Sequence, residues 1–462
     1  MFTRYSAASG LAIAASTLLS SVSAFDASSR TNLAVYWGQN SYGATHTSDT
    51  SNWQQSIGHY CQDDTINAIP VAFLNVAFST GGLPSIDLAN ICNINGNSVF
   101  PGTQLPDCSF LASEIQACQA RGKIVTISIG GATGGVAFTG VDQARQFADT
   151  VWNLFLGGSS STRPFGAAVL DGVDLDLEGG SPNYWSDFVT EIRAKASGAS
   201  KPYYVTGAPQ CPFPDAYLGT ALNAVGFDAV YVQFYNNYCG VNNYGNPNAW
   251  NFAQWDSWAK SSPNPNVKVY IGVPASSTAA GSGYVDSSTL GGIIKDTASA
   301  YSSFGGIMLW DASQAYANGR FDQAVKSLLN ANVPGSSGGS GTTTTTGPTT
   351  TVTTTTTTTS APPTTTSQPS GSCGSVAGWV ANVAYVQGDQ VTYNGYLYTA
   401  NQWNYDEVPD GPSGAWTKSG PCATTNATRV KPLLTSIPAA SMVPGSHAPT
   451  ESRREFFRFK RA

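Results

Sequence analysis

Asp171-Gly172-Val173-Asp174-Leu175-Asp176-Leu177-Glu178 is the stretch that decides the fold of this 462-residue chain. From Asp174 onward every second residue is acidic, and leucines stand between. Side chains of a β-strand alternate between two faces, so one face carries three carboxyl groups and the other aliphatic groups. Because like charges repel, we expect at least one carboxyl to be protonated near neutral pH, as a general acid requires. Spacing alone leaves open a solvated acidic strand tip, with or without a bound cation.

Apolar, β-rich segments recur on both sides of this run, each bounded by turn residues. We place strands at 32–37, 70–78, 123–129, 168–177, 203–208, 229–234, 267–273 and 306–309. Helical patterns lie between or after them, for example at 111–121, 144–156, 184–196 and 321–330. Eight buried strands alternating with helices predict an α/β fold, a (β/α)8 or TIM barrel over residues 25–333. The acidic run then lies at the carboxyl end of the fourth strand, where barrel active sites are found.

Four further segments are distinguished by composition. Residues 1–24 are predicted to be a secretory signal peptide, with Arg4 before an apolar stretch and a small-residue cleavage site at Val22-Ser23-Ala24. Residues 334–372 form a Thr/Ser/Pro-rich linker, expected to be disordered and O-glycosylated. Residues 373–422 are a small, aromatic-rich all-β module, and residues 423–462 a basic tail that we expect to be disordered. We therefore predict a secreted protein, extracellular or associated with a cell wall, without a transmembrane segment.

The cysteines fit export to an oxidising compartment. There are eight, and no CxxC pair or clustered histidines suggest a zinc site. Six fall within residues 25–333, which allows fifteen pairings. The other two bracket the module, so a Cys373–Cys422 bridge is the simplest inference. We expect no metal and no cofactor. The one N-glycosylation sequon is Asn426-Ala427-Thr428.

Charge and composition limit the classes of partner. The net charge is −6, and the tail from Ala423 onward holds seven basic and two acidic residues, so the preceding chain carries −6 − 5 = −11. Such an acidic body is a poor nucleic-acid binder. Charged residues make up only 11% of the chain and aromatic residues another 11%. This polar, uncharged, aromatic surface is typical of proteins that bind sugars, and we expect a monomer.

Several motifs, each at a predicted strand end, resemble glycoside hydrolase family 18, the chitinase family. The acidic run resembles its DxxDxDxE signature, and Ser128-Ile129-Gly130-Gly131 its SxGG element. Other motifs are similar to the plant and fungal class III (hevamine-like) subgroup: Tyr36-Trp37-Gly38-Gln39-Asn40, Ala208-Pro209-Gln210-Cys211-Pro212, Gln233-Phe234-Tyr235-Asn236-Asn237 and Leu309-Trp310-Asp311. The module resembles chitin-binding modules appended to chitinases, and Trp403 is the best candidate there for a sugar-stacking residue.

The resemblance implies a retaining, substrate-assisted mechanism. Glu178 would protonate the glycosidic oxygen and then activate water, while the N-acetyl carbonyl of the substrate attacks the anomeric carbon. Asp176 would hold the acetamido N–H, and Asp174 would share a proton with Asp176. Tyr235 would hydrogen-bond the attacking carbonyl. Trp310 would form the floor beneath the sugar, and Tyr36, Gln39 and Gln233 would contact it in subsites. We expect structural roles for Asp171, Ser128 and Gly130–Gly131. For Trp37 a core position and a subsite contact are equally compatible with the sequence.

The resemblance also implies the bridges Cys61–Cys118, Cys92–Cys108 and Cys211–Cys239. Together these features predict a secreted endo-chitinase acting on β-1,4-linked N-acetylglucosamine polymers, with chitin or its oligosaccharides as partner. Three alternatives remain: a catalytically inactive lectin or inhibitor on the same barrel, an endo-β-N-acetylglucosaminidase acting on N-glycans, and a structural wall protein.

Overall fold

The computed structural model describes residues 24–132, 135–334, 376, 378–379, 384–385, 390–401, 404–405, 408–411 and 415–422. The predicted linker and tail, and all but the last residue of the predicted signal peptide, lie outside these residues. So do Cys373, Trp403 and Asn426, and the predictions for them stay predictions. The chain divides into two compact units, Met1–Thr355 and Thr356–Ala462. No helix among the described residues is both long and apolar enough to cross a membrane.

The first unit is built on a closed barrel of eight parallel strands, which confirms the predicted fold. Its first strand pairs with both the second and the last, so no edge remains open, and one short antiparallel strand, β3, adds to β2. Each predicted strand overlaps one barrel strand. The strands are β1 (Asn32–Val35), β2 (Ala68–Val76), β3 (Ser85–Ile86), β4 (Ile124–Gly131), β5 (Gly172–Leu177), β6 (Tyr204–Gly207), β7 (Ala229–Gln233), β8 (Lys268–Pro274) and β9 (Phe304–Trp310).

Helices follow most strands and cover the outside of the barrel. They are α1 (Ser41–Thr45), α2 (Ile57–Tyr60), α3 (Ala112–Ala120), α4 (Val141–Phe155), α5 (Trp185–Ala196), α6 (Gly219–Ala224), α7 (Phe252–Ser261), α8 (Ser287–Ala300), α9 (Ala312–Ala317) and α10 (Phe321–Asn332). In α4 the buried residues Ala144, Phe147, Ala148 and Val151 recur at helical spacing and form one apolar stripe. The Phe147 ring packs 5.6 Å from that of Phe188 in α5, which joins neighbouring helices.

The alternation of β5 separates two environments. Val173, Leu175 and Leu177 point outward and are buried in the main core beneath the helices. The acidic positions between them face the interior of the barrel, beside a second apolar cluster that includes Tyr36 and Tyr231. The period of two that is visible in the sequence is therefore the period of the strand.

Three disulfides of the first unit pair as the resemblance implies. Cys61–Cys118 connects the end of α2 to α3, Cys92–Cys108 closes the segment between β3 and α3, and Cys211–Cys239 links the loops after β6 and β7. The last bridge fixes two loops at the carboxyl end of the barrel, on the side where β5 carries its acids.

The regular elements among the described residues of the second unit are β-strands, which agrees with the predicted all-β module. Its strands are β10 (Ala384–Tyr385), β11 (Gln390–Tyr393), β12 (Tyr396–Ala400), β13 (Asn404–Tyr405) and β14 (Trp416–Pro421). Strands β11, β12 and β14 form one antiparallel sheet, and β10 and β13 form a second, two-stranded one. Tyr385, Tyr398 and Trp416 are buried in its core, whereas Tyr396 is 37% exposed, with Lys418 Nζ 3.6 Å from its ring centre.

Candidate active site

Three carboxyl groups stand in a row at the carboxyl end of β5. Asp174 is completely buried, Asp176 is 3% exposed, and Glu178, one residue past the strand, is partly exposed. Within residues 24–132 and 135–334, none of the three forms an ion pair with a lysine or arginine. The described residues also contain no cluster of three or more His, Cys, Asp or Glu side chains able to hold a metal ion. Protonation and hydrogen bonds must therefore reduce the repulsion between these carboxyl groups.

Asp174 is held by three hydroxyl groups from three other strands or strand ends. Tyr36 donates to Oδ2 at 2.6 Å and Ser128 to the same oxygen at 2.7 Å, while Thr206 donates to Oδ1 at 2.6 Å. Burial raises the pKa of Asp174, and the three hydroxyl donors partly offset that rise because they favour the ionised form. The arrangement is a hydroxyl cage around one buried carboxylate.

Asp176 has no such cage. Its Oδ1 accepts one hydrogen bond from Gln233 Nε2 at 2.9 Å. Burial raises the pKa of Asp176 well above its ordinary value, and the negative charges of Glu178, Asp174 and Asp215 raise it further. Asp176 is therefore the member of the row best suited to hold a proton at neutral pH.

Glu178 lies at the open end of the row. Burial raises the pKa of its carboxyl above the usual range, the Gln233 amide lowers it in part, and the charge of Asp215 raises it again. A carboxylic acid that stays protonated toward neutral pH is able to donate a proton to a bound substrate. The chemistry that this end of the barrel supports is general acid–base catalysis.

Tyr235 and Trp310 complete the end of the barrel. Tyr235 is 6% exposed, and burial, with the charges of Asp176 and Glu178, raises the pKa of its phenol well above the ordinary value, so it remains a donor. The partly exposed Trp310 ring lies 5.9 Å from that of Phe73, nearly parallel, and 5.6 Å from that of Tyr36. Trp310 thus packs on two buried rings and is the member of this group that is partly exposed, and its predicted role as a sugar-binding floor stays a prediction.

The remaining predicted site residues occupy supporting positions. Tyr36 is 1% exposed, with its hydroxyl committed to Asp174. Gln39 Nε2 donates to the carbonyls of Ala72 and Asp87, both at 3.0 Å, and so ties the loop after β1 to β2 and β3. Their predicted subsite contacts stay predictions. Trp37 is 1% exposed and donates to a backbone carbonyl, which assigns it to the core.

Asp171, predicted to be structural, lies at the opposite end of β5. It accepts hydrogen bonds from Gln119 and the Val125 amide, both at 2.8 Å, and pairs with Lys201 at 2.7 Å. These contacts join the last turn of α3 to the amino ends of β4 and β6, which agrees with the predicted structural role.

Two residues of the site were missed from the sequence. Thr206 is the register partner of Asp174 across β5 and β6, so a correct strand register would have found it. Asp215 is buried, and its carboxylate accepts hydrogen bonds from the backbone N–H groups of Gln210, Tyr217 and Leu218. Its negative charge raises the pKa of both Asp176 and Glu178. In the sequence Asp215 is a single acidic residue in a loop, and no motif or spacing separates it from other loop aspartates.

The first glycine of the SxGG element, Gly130, is needed for a steric reason. Gly130 has φ +117° and is the register partner of Asp176, and a Cβ there would lie 2.2 Å from the Asp176 carbonyl oxygen. Only glycine therefore lets β4 approach β5 at this point of the acidic row.

Comparison with known proteins matches residues 32–408 to the family described as glycosyl hydrolases family 18. Chitinase 2 of Rhizopus oligosporus is 49% identical over 323 residues, which cover 70% of this chain but 56% of that protein. The chitinase ICChI of Ipomoea carnea is similar in structure, with a TM-score of 0.54 and 30% identity, over 64% of this chain and 99% of that one. XAIP-II of Scadoxus multiflorus, a xylanase and alpha-amylase inhibitor, has a TM-score of 0.53 and 30% identity, over 64% of this chain and 97% of its own.

Proposed function

The chain belongs to glycosyl hydrolases family 18, and from that membership we propose that it is a secreted endo-chitinase. Its substrate would be β-1,4-linked N-acetylglucosamine polymer, hydrolysed with retention of configuration at the anomeric carbon. The observation that carries the proposal is the row Asp174, Asp176 and Glu178. The first two carboxyls are buried, the outermost is partly exposed at the end of the barrel, and none of them pairs with a lysine or arginine of residues 24–132 and 135–334. Relatives named chitinase support the choice of substrate.

In the first step Glu178 donates its proton to the glycosidic oxygen, and the bond from that oxygen to the anomeric carbon breaks. The acetamido carbonyl oxygen of the substrate forms a new bond to the same carbon from the opposite face. The resulting oxazolinium ring carries a positive charge, which the protein must stabilise. In the second step Glu178 takes a proton from water as the water oxygen attacks the anomeric carbon from the face that the leaving group left. The bond from that carbon to the acetamido oxygen breaks, and its electrons return to the acetamido group, which becomes neutral again. The acid is thereby restored and configuration is retained.

Asp176 and Tyr235 would act on the acetamido group. Asp176 accepts the acetamido N–H and places negative charge beside the oxazolinium. Tyr235 donates to the acetamido oxygen, and no hydrogen bond from its hydroxyl to another described residue competes with that role. These groups are positioned before the reaction, so their stabilisation of the developing charge needs little reorganisation.

Asp174 would serve as the partner that takes up the change in charge. Its three hydroxyl donors favour an ionised Asp174 and therefore a proton on Asp176 in the resting enzyme. As positive charge develops on the substrate, the proton shared by the pair moves away from Asp176 toward Asp174, and Asp176 faces the oxazolinium as a carboxylate.

The inactive lectin or inhibitor remains the rival from another class, since proteins named as enzyme inhibitors share the fold. The complete acidic row and Tyr235 favour the enzyme, because adjacent carboxyls with raised pKa values destabilise the fold and bring no advantage to a purely binding protein. The endoglycosidase would use the same chemistry on a different glycan.

The deciding experiment is product analysis on insoluble chitin, soluble glycol-chitin and an N-glycoprotein, with the anomer observed by NMR at early times. We expect β-anomeric oligosaccharides from both chitins and none from the glycoprotein. Chitin binding without product would establish the lectin, and release of N-glycans alone would establish the endoglycosidase. An initial α-anomer would overturn retention.

We further propose that the second unit holds the enzyme on insoluble chitin by raising its local concentration. The exposed Tyr396 supports a sugar-facing surface. Deletion of residues 371–462 should lower the rate on insoluble chitin about tenfold and leave the rate on soluble oligomers within about twofold. Equal losses on both substrates would contradict targeting.

A further inference from the structure

A second cleft lies at the end of the barrel opposite the acidic row. Its volume is about 610 Å³, and it is lined by α3, the ends of α4 and α5, and the segments that lead into β5 and β6. Residues just before a strand lie at the amino end of the barrel, whereas Asp174, Asp176 and Glu178 lie at the carboxyl end of β5. This cleft is therefore separate from the candidate active site, and its size is that of a small-ligand site.

An aromatic pair forms one wall of this cleft. The rings of Trp152 and Tyr203 lie 4.8 Å apart at 54° to each other. Gly157 borders both: a Cβ there would lie 2.6 Å from the Tyr203 hydroxyl and 2.8 Å from the Trp152 ring. A side chain at position 157 would crowd the pair, so the glycine leaves the wall open.

The polar groups of this wall are unused. Tyr203 is only 8% exposed, yet its hydroxyl makes no hydrogen bond to the described residues, and burial raises the pKa of the phenol, so it remains a donor. The Trp152 indole N–H likewise has no acceptor among them. A tyrosine hydroxyl that lies at a cleft without a protein partner is available to a ligand.

Charge argues for a neutral ligand. Two lysines line the cleft, but both are already paired: Lys201 with Asp171 at 2.7 Å, and Lys195 with Asp149 and with Glu191. An anion would have to compete with these carboxylates. The other polar lining groups include Ser197 and Ser200, which are uncharged and exposed, and the exposed Gln116, whose amide nitrogen donates a long hydrogen bond of 3.5 Å to the Ala167 carbonyl.

We propose that this cleft is a noncatalytic binding site for a neutral saccharide. Aromatic rings offer an apolar platform to the C–H face of a pyranose, and the hydroxyl, indole and amide groups match its equatorial hydroxyls. The enzyme would then hold a glycan at the amino end of its barrel, independently of the acidic row and of the second unit.

The test uses the full chain carrying Glu178→Gln, so that no probe is consumed. The tryptophan indole resonances are followed by ¹⁵N–¹H NMR during titration with chitobiose, cellobiose, maltose and, as an anionic probe, glucuronate. Trp152→Phe identifies the Trp152 signal by its loss. We expect at least one neutral disaccharide to shift that signal saturably at millimolar concentration.

Ala167→Trp provides a blocking variant that removes no core contact, because Ala167 is exposed at the cleft. It should weaken the Trp152-detected affinity at least about tenfold, corresponding to about 1.4 kcal/mol. Ala253→Trp, the same substitution at an exposed site on α7, should leave the affinity unchanged. In the active enzyme, Ala167→Trp should leave turnover of short soluble oligomers within about twofold.

Three outcomes would overturn the proposal. These are the absence of any Trp152 shift with the neutral disaccharides, a shift with glucuronate alone, and an affinity that Ala167→Trp does not change. None of them bears on Glu178 chemistry, which is tested by product formation.

Discussion

The two ends of β5 carry carboxylates in opposite electrostatic environments. At the amino end Asp171 is matched by Lys201, by the Gln119 amide and by the Val125 N–H. At the carboxyl end Asp174, Asp176 and Glu178 have only neutral hydrogen-bond donors, and burial raises the pKa of each. Carboxyl groups therefore stabilise the fold at the amino end of β5, whereas at its carboxyl end their raised pKa values suit them to proton transfer.

The largest effect should follow removal of the proton donor at the carboxyl end. Glu178→Gln is isosteric but cannot protonate a leaving group, and we expect kcat on glycol-chitin to fall about 1,000-fold. Reducing-end release measures the loss, and binding to chitin should be retained. Glu191→Gln on α5 is the matched control. Activity retained within about tenfold would remove Glu178 from its proposed role.

Weakening the hydroxyl cage should have the next largest effect. Tyr36→Phe removes one donor from Asp174, and we expect kcat to fall about 10- to 100-fold, as for loss of a hydrogen bond to a charged group. Because that bond lowers the pKa of Asp174, its loss should move the acid limb of the kcat/KM profile to higher pH. Tyr270→Phe, in the same barrel but bonded to Asn32, is the control. An unshifted profile would contradict the cage.

At the amino end the same kind of change should cost stability and not rate. Asp171→Asn breaks the ion pair with Lys201 and weakens two acceptor contacts, so we expect the free energy of unfolding to fall by about 2 kcal/mol. Denaturant titration measures this change, and kcat should stay within about twofold. A kcat that falls below this range would mean that Asp171 also affects the acidic row at the other end of β5.

The smallest effect should have the opposite sign. The pKa of Glu178 is raised in the folded protein, so wild-type stability is lost as pH rises through the unfolded and then the folded pKa. Glu178→Gln removes this loss and should be more stable than wild type by about 1 kcal/mol at pH 8, with less difference at pH 4. Thermal melts at the two pH values provide the measurement. A variant less stable at pH 8 would show that the carboxylate is better compensated than its contacts indicate.

Much of the barrel could be predicted because its signals are local. Each strand is a short apolar run between turn residues, and the overlap of all eight predicted strands with barrel strands follows from that periodicity. The disulfides are different, because spacing allowed fifteen pairings of six cysteines and only family resemblance selected the pairing that the structure contains.

The supporting residues of the site depended on long-range contacts. Thr206 lies 32 residues from Asp174, and Tyr36 lies 138 residues away. No local pattern distinguishes Thr206 from a core threonine, and Tyr36 was found only through the family resemblance, with a subsite contact and not a bond to Asp174 as its implied role. The cleft at Trp152 and Tyr203 is likewise built from segments that only the barrel brings together.

The sequence by itself determined that β5 carries three acids on one face and aliphatic side chains on the other, because a strand alternates its side chains with a fixed period of two. Tertiary structure alone decided how those acids differ. Burial, strand register and the donors that register supplies surround Asp174 with hydroxyls, leave Asp176 with one amide and open Glu178 at the end of the row. Proton affinity depends on these surroundings, and the surroundings come from strands far apart in the chain.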